Sequence, residues 1–208
     1  MVEMPLLIIS RVAPVVLGSV FFASELVVRV LLPSFEEGLV PLQILLVGTY
    51  FSSVPRGLSS FFITLRRQAQ TVHLYLLSIL GNGLIVWWLL ASGYGLAGAA
   101  AGTTISLAFF GYGLIVLALR YFMGVKELLV ELAKLTWPLG LGVALALIAR
   151  HAGLILAGPG EGLYAVVAGS ILGGALFLAA YSPVVWHLYR AYGSQLRAPA
   201  VDEEVSQA

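Results

Sequence analysis

The chain has 208 residues, of which 60% are hydrophobic and only 10% charged, and its formal net charge is +1. A soluble domain carries about 25% charged residues to wet its surface, so a chain this apolar, with a mean hydropathy of +1.00, must turn its exterior to lipid. The charge gives no electrostatic case for nucleic acid as a partner. The lack of cysteine excludes disulfides, thiolate metal sites and a cysteine nucleophile.

Taken in chain order, the first two apolar segments are Pro5–Leu32 and Leu39–Leu65, separated by Pro33-Ser34-Phe35-Glu36-Glu37-Gly38. Next comes a stretch between Arg67 and Arg120 without a single Asp, Glu, Lys or Arg. One crossing needs only ~20 apolar residues, and the middle of this stretch reads Ser92-Gly93-Tyr94-Gly95-Leu96-Ala97-Gly98. It therefore predicts two helices, Thr71–Ala91 and Leu96–Leu119, joined by a glycine turn.

Val125–Lys134 differs in kind. Val125, Leu128, Leu129 and Leu132 recur at helical spacing, and Lys126, Glu127, Glu131 and Lys134 fill the other positions, as in a short amphipathic helix lying on the membrane surface. The last two spans, Leu135–Ala157 and Leu163–Leu188, flank Gly158-Pro159-Gly160-Glu161-Gly162, and Arg150-His151 interrupts the first of them. The long apolar runs lack the alternation of a membrane barrel, so backbone polarity requires helices.

The fold class expected is an all-α membrane protein, a bundle of about six transmembrane helices. Its parts are a four-helix unit (1–123), an amphipathic linker helix (124–134), a terminal hairpin (135–192) and a disordered tail (193–208). Arg66, Arg67, Arg120, Lys126, Lys134, Arg190 and Arg197 fall on one side if the spans alternate, and Glu36, Glu37 and Glu161 on the other. The positive-inside rule then places both termini in the cytoplasm.

Three local patterns carry a family resemblance. The first is Val40-Pro41-Leu42-Gln43-Ile44-Leu45-Leu46-Val47-Gly48, following a span and a short loop. The second is Gly57-Leu58-Ser59-Ser60-Phe61-Phe62-Ile63-Thr64-Leu65-Arg66-Arg67-Gln68, a small-residue helix running into a basic loop. The third is Gly93-Tyr94-Gly95-Leu96-Ala97-Gly98-Ala99-Ala100-Ala101-Gly102-Thr103, a glycine-alanine entry into the next helix. In this order, from about Val12 to Met123, they resemble the C-terminal lobe of the polysaccharide flippases of the multidrug, oligosaccharidyl-lipid and polysaccharide exporter superfamily.

The resemblance implies translocation of polyprenyl-diphosphate-linked oligosaccharide or polysaccharide repeat units across the cytoplasmic (inner) membrane, in capsule or lipopolysaccharide export. It implies neither enzyme activity nor a cofactor. Family members have two lobes of about six helices, and this chain looks like the last six helices of a fourteen-helix protein. The implied partners are therefore membrane lipid, the lipid-linked glycan and a missing N-terminal lobe or partner subunit, the chain being a fragment or half of the transporter. Two alternatives stand beside transport: a non-transporting membrane subunit of a cell-surface glycan assembly complex, and a membrane-embedded lipid-modifying enzyme.

Four residues are candidates for the site. Arg56 sits about 14 Å deep at helical rise, between Pro55 and Gly57, which can bend the helix and expose backbone. If the substrate is the diphosphate that the resemblance implies, its guanidinium would pair with it; otherwise it snorkels to headgroups. Arg11 would line the mouth of a cavity or anchor the cytoplasmic end. Glu25 and Arg29, one helical turn apart, form either a coupling carboxylate with its counter-ion or a plain interfacial ion pair. Arg150-His151 reads as interfacial, and His73, His151 and His187 stand on different helices without the carboxylates that a metal site would need. Gly98, Ala101, Gly102, Ile105 and Ser106, with Gly169, Gly173 and Gly174, suit close helix packing.

Overall fold

A computed structural model of the protein describes residues 3–58, 62–63, 66–120, 122–157 and 163–196. Six long helices dominate them: α1 (Glu3–Leu31), α2 (Leu39–Ser53), α3 (Gln68–Ala91), α4 (Gly95–Leu119), α5 (Val125–Leu156) and α6 (Leu163–Leu196). Among the described residues there is no strand. Each helix is long and apolar enough to cross a membrane, α2 with its flanking 3-10 turns Pro33–Gly38 and Val54–Gly57. Large apolar side chains cover the outside; on α3, Leu80, Leu84, Trp87 and Trp88 are all more than 60% exposed. Water would make such a surface aggregate, whereas lipid solvates it. The chain is a multi-pass membrane protein.

Helix ends follow from local chemistry. At the end of α3 the Tyr94 N–H donates to the Leu89 carbonyl and the Gly93 N–H to that of Leu90, with Gly93 at φ +85°. This is a Schellman motif, which glycine enters without steric cost, and it forms the expected turn between α3 and α4. The same two bonds recur from Arg67 to Phe62 and from Arg66 to Ile63, but here the left-handed residue is Arg66, at φ 53°.

Cross-helix contacts set the directions. Pro14 faces Gly142 and Glu25 meets Arg150, so α1 and α5 run parallel. Gly18 faces Phe177, and Gly173 faces Phe22, so α6 runs back against α1. Leu89 with Gly98 and Leu74 with Gly113 make α3 and α4 antiparallel, and Thr104 with Ile44 and Gly111 with Phe51 make α2 and α4 parallel. The start of α1 and the end of α6 consequently share one end of the bundle, with Arg66, Arg67, Arg120 and Lys126. Glu36 and Glu37 mark the other end.

Packing divides the helices differently from chain order. Helices α2, α3 and α4 form one group, α1, α5 and α6 another, and α1 also bridges to α2. The core cluster of the first junction joins Leu6, Tyr50, Leu58, Leu114 and Leu135. The second joins Phe22, Ala146, Ala149, Phe177 and Tyr181. Small residues set these distances, as expected for helices in lipid. A Cβ at Gly111 would stand 2.1 Å from the Phe51 carbonyl oxygen, and one at Gly153 would stand 2.4 Å from that of Gly169. Gly98, Gly102 and Ser106 face α3, the last through Ser78 Oγ donating to the Ser106 carbonyl at 3.0 Å. Ile105 turns outward, at 53% exposure.

Three expected boundaries differ. Val125–Lys134 is no separate linker helix but the first turns of the 32-residue α5, because no glycine or proline interrupts Val125–Trp137. Its start is capped by the Gly124 N–H donating to Glu127 Oε2 at 3.2 Å. The final helix runs four residues past 192, to Leu196; residues 197–208 of the expected tail lie outside the described residues. So does Glu161 in the α5–α6 connection, as do residues 59–61 and 64–65 of the second family-like pattern.

Candidate functional site

Glu25 lies on α1 between two groups that the apolar sequence would not be expected to bring inward. Its residue is 2% exposed. Arg29 Nη2, one turn further along α1, is 3.4 Å from Glu25 Oε1, and Arg150 Nη2, from α5, donates to the same oxygen at 3.1 Å. Arg29 Nε also stands 3.7 Å from Glu36 Oε1 in the 3-10 turn before α2. Four charges thus converge from α1, α5 and the α1–α2 connection, two of each sign.

The charges are unequally solvated. The Glu25 side chain is 3% exposed, those of Arg29 and Arg150 28% and 32%, and that of Glu36 61%. Water screens Glu36 most, so the buried part of the site is one carboxylate shared by two guanidiniums, with an excess of positive charge. Burying an ion in apolar surroundings costs several kcal/mol unless partners compensate it, which explains why the carboxylate takes two. The Nε atoms of Arg29 and Arg150 are buried without a hydrogen-bond partner, so each guanidinium keeps a donor for a further acceptor.

The remaining candidates stand apart from this cluster. Arg56 lies in the 3-10 turn Val54–Gly57, where the helix bends as Pro55 and Gly57 suggest, but its side chain is exposed and lines none of the cavities described here. Arg11 is on α1 at the opposite end, half-buried. Its Nε is buried without a partner. No ion pair joins Arg11 or Arg56 to Glu25 among the described residues. Glu25 and Arg29 do meet, as their spacing predicts. Arg150 completes the site rather than standing at the interface by itself.

Tyr50 is the residue that sequence reading misses. It is 2% exposed, and its hydroxyl reaches the Ser10 carbonyl at 3.4 Å and the Leu135 carbonyl more closely. Pro14 has no N–H, so the Ser10 carbonyl four residues earlier has no donor within α1. The tyrosine hydroxyl from α2 supplies one. A proline one turn ahead of a serine was the available signal, and only the tertiary structure says which side chain answers it.

A small apolar cavity of about 70 Å³ lies between α1, α2 and α5, bounded by Pro14, Gly18, Gln43, Val47, Gly142 and Ala146. Gln43 Nε2 is buried there without a partner. Among the described residues no group of three His, Cys, Asp or Glu residues could hold a metal ion. Comparison of the chain with protein-family models, with curated proteins and with solved structures returns no match.

Proposed function

We propose that this chain works in membrane transport, as one lobe of a flippase that moves polyprenyl-diphosphate-linked glycan units across the cytoplasmic membrane. The basic end of the bundle, with both termini, faces the cytoplasm under the positive-inside rule. A partner subunit or preceding lobe supplies the other wall of the path.

The observation that carries this reading is the buried Glu25 held by Arg29 and Arg150. Ionisable groups inside a membrane bundle are costly and serve pathways, and a guanidinium pairs with phosphate oxygens through two parallel bonds. A diphosphate arriving at Arg29 and Arg150 competes with Glu25 for them. The displaced carboxylate then needs a proton or a cation, which ties substrate movement to an ion. Arg56, exposed in the turn that follows α2 and apart from this cluster, meets the anion at the other end of its path.

The test is co-reconstitution with a candidate partner lobe, using vesicles loaded with fluorescent lipid-linked oligosaccharide in one leaflet. Translocation that requires both chains and falls in Glu25→Gln, Arg150→Gln and Arg56→Ala is expected. Co-purification with glycosyltransferases but no translocation would assign the chain to a glycan assembly complex instead.

A further inference from the structure

A second set of cations lies at the other end of the molecule, beside a long external groove. Between α1 and α6 one hollow of about 990 Å³ is lined by Val15, Leu178, Ser182, Val185, Trp186 and Tyr189. A second, of about 340 Å³, continues from Leu178 past Ala23, Leu26, Ser170 and Ile171. The two share Leu178 and lie end to end along α1 and α6, both mostly apolar, which makes an open groove along the helices.

Its wide end is basic. Arg11, Val15, Gly18 and Phe22 form the stripe of α1 that faces α6, since Gly18 and Phe22 pack on Phe177. Arg11 is therefore one turn beyond the groove wall, with a buried Nε that has no acceptor. From the other wall, the Arg190 guanidinium lies 5.4 Å over the Trp186 ring, which itself stacks on Tyr189. No ion pair joins a carboxylate to either arginine among the described residues: α6 contains no carboxylate, α1 has none from Met4 to Ser24, and of the two on the first turns of α5, Glu127 and Glu131, the second is paired with Lys134. The Ser182 hydroxyl donates to the Ala179 carbonyl at 2.8 Å, which Pro183 leaves without a helix donor, so its oxygen still accepts.

We propose that this groove seats one anionic phospholipid of the surrounding bilayer. Its phosphate lies between Arg11 and Arg190 at the level of Trp186 and Tyr189, and an acyl chain follows the α1–α6 groove towards Ile171. A neutral lipid fills the groove equally well, so the two arginines set the preference for negative charge. The inference is independent of the transport reading and of the Glu25 cluster at the opposite end.

Trp186 reports on the site. With Trp87, Trp88 and Trp137 changed to Phe, the full chain is placed in phosphatidylcholine vesicles containing brominated phosphatidylglycerol or, separately, brominated phosphatidylcholine. Since each interfacial arginine contributes about a fivefold preference for anionic lipid, phosphatidylglycerol is expected to quench Trp186 with a clearly higher relative binding constant. That preference should vanish in Arg11→Gln/Arg190→Gln and persist in Arg11→Lys. If the double variant does not fold, Arg190→Gln alone, at an exposed residue, should lower the preference about fivefold. Equal quenching by the two lipids in the parent protein, or an unchanged preference in the glutamine variants, overturns the proposal. Displacement of the quencher by trace amounts of polyprenyl phosphate would overturn it too, in favour of a substrate-tail site.

Discussion

Arg150 on α5 donates to Glu25 on α1 at 3.1 Å, across 125 positions of sequence. The bond fastens the first helix to the fifth at the end of the bundle opposite the termini. Because Glu25 is nearly inaccessible, removing one partner leaves a charge in an apolar environment. Arg150→Gln and Glu25→Gln should each destabilise the protein by about 1–3 kcal/mol, whereas Glu36→Gln, at an exposed carboxylate, should cost under about 1 kcal/mol. Thermal unfolding in detergent measures all three, and the double variant of Glu25 and Arg150 should show a coupling of at least about 0.5 kcal/mol.

Tyr50→Phe tests the three-helix junction. The substitution keeps the ring in the core and removes the hydroxyl that serves the Ser10 and Leu135 carbonyls. A loss of roughly 1–2 kcal/mol is expected for a hydrogen bond between membrane helices, and substituting Pro14 by Ala as well should reduce it, because α1 then supplies its own donor to Ser10. Unfolding midpoints of the two single variants and the double variant decide the point.

Helix spacing makes opposite predictions for different glycines. Gly153→Ala and Gly111→Ala drive a methyl group into the backbone of the facing helix, and should cost at least about 1–3 kcal/mol by overpacking. Gly81 and Gly83 on α3 have nothing within 4 Å of an added Cβ, and changing either to alanine should stabilise its helix by about 0.5–1 kcal/mol. Melting temperatures of the four variants should fall on both sides of the parent.

Arg66 holds a left-handed conformation that glycine adopts freely. Arg66→Gly should therefore gain about 1 kcal/mol, and Gly93→Ala, at the equivalent position after α3, should lose a similar amount. The pair can be compared by chemical unfolding.

Local features of this fold are legible in the sequence, and distant ones are not. Gly93 marks its turn because glycine alone enters that φ without cost, and Glu25 and Arg29 meet because helical rise brings every fourth residue together. Arg150 gives no such signal: alternating spans make α1 and α5 parallel, but Arg150 reaches Glu25 only because the two helices are neighbours, with Pro14 packed on Gly142, and no periodicity reports that adjacency. The amphipathic pattern at Val125–Lys134 is real, but periodicity reports a face and not a boundary, so it does not reveal that α5 continues unbroken beneath it. Pro55 and Gly57 predict the bend at Arg56, but no local pattern tells whether its side chain turns inward or outward, because that depends on the helices around it.

The partnership of α1 with α5 and α6 has a consequence for biosynthesis. Helix α1 carries a carboxylate whose second counter-ion, Arg150, is made 125 residues later. Until then Arg29, on the same helix, is the cation that can accompany Glu25 through insertion. The nascent chain must hold α1 in that provisional pairing while three further helices emerge. The bundle closes only when Arg150 arrives from the translocon and takes its place on the waiting oxygen.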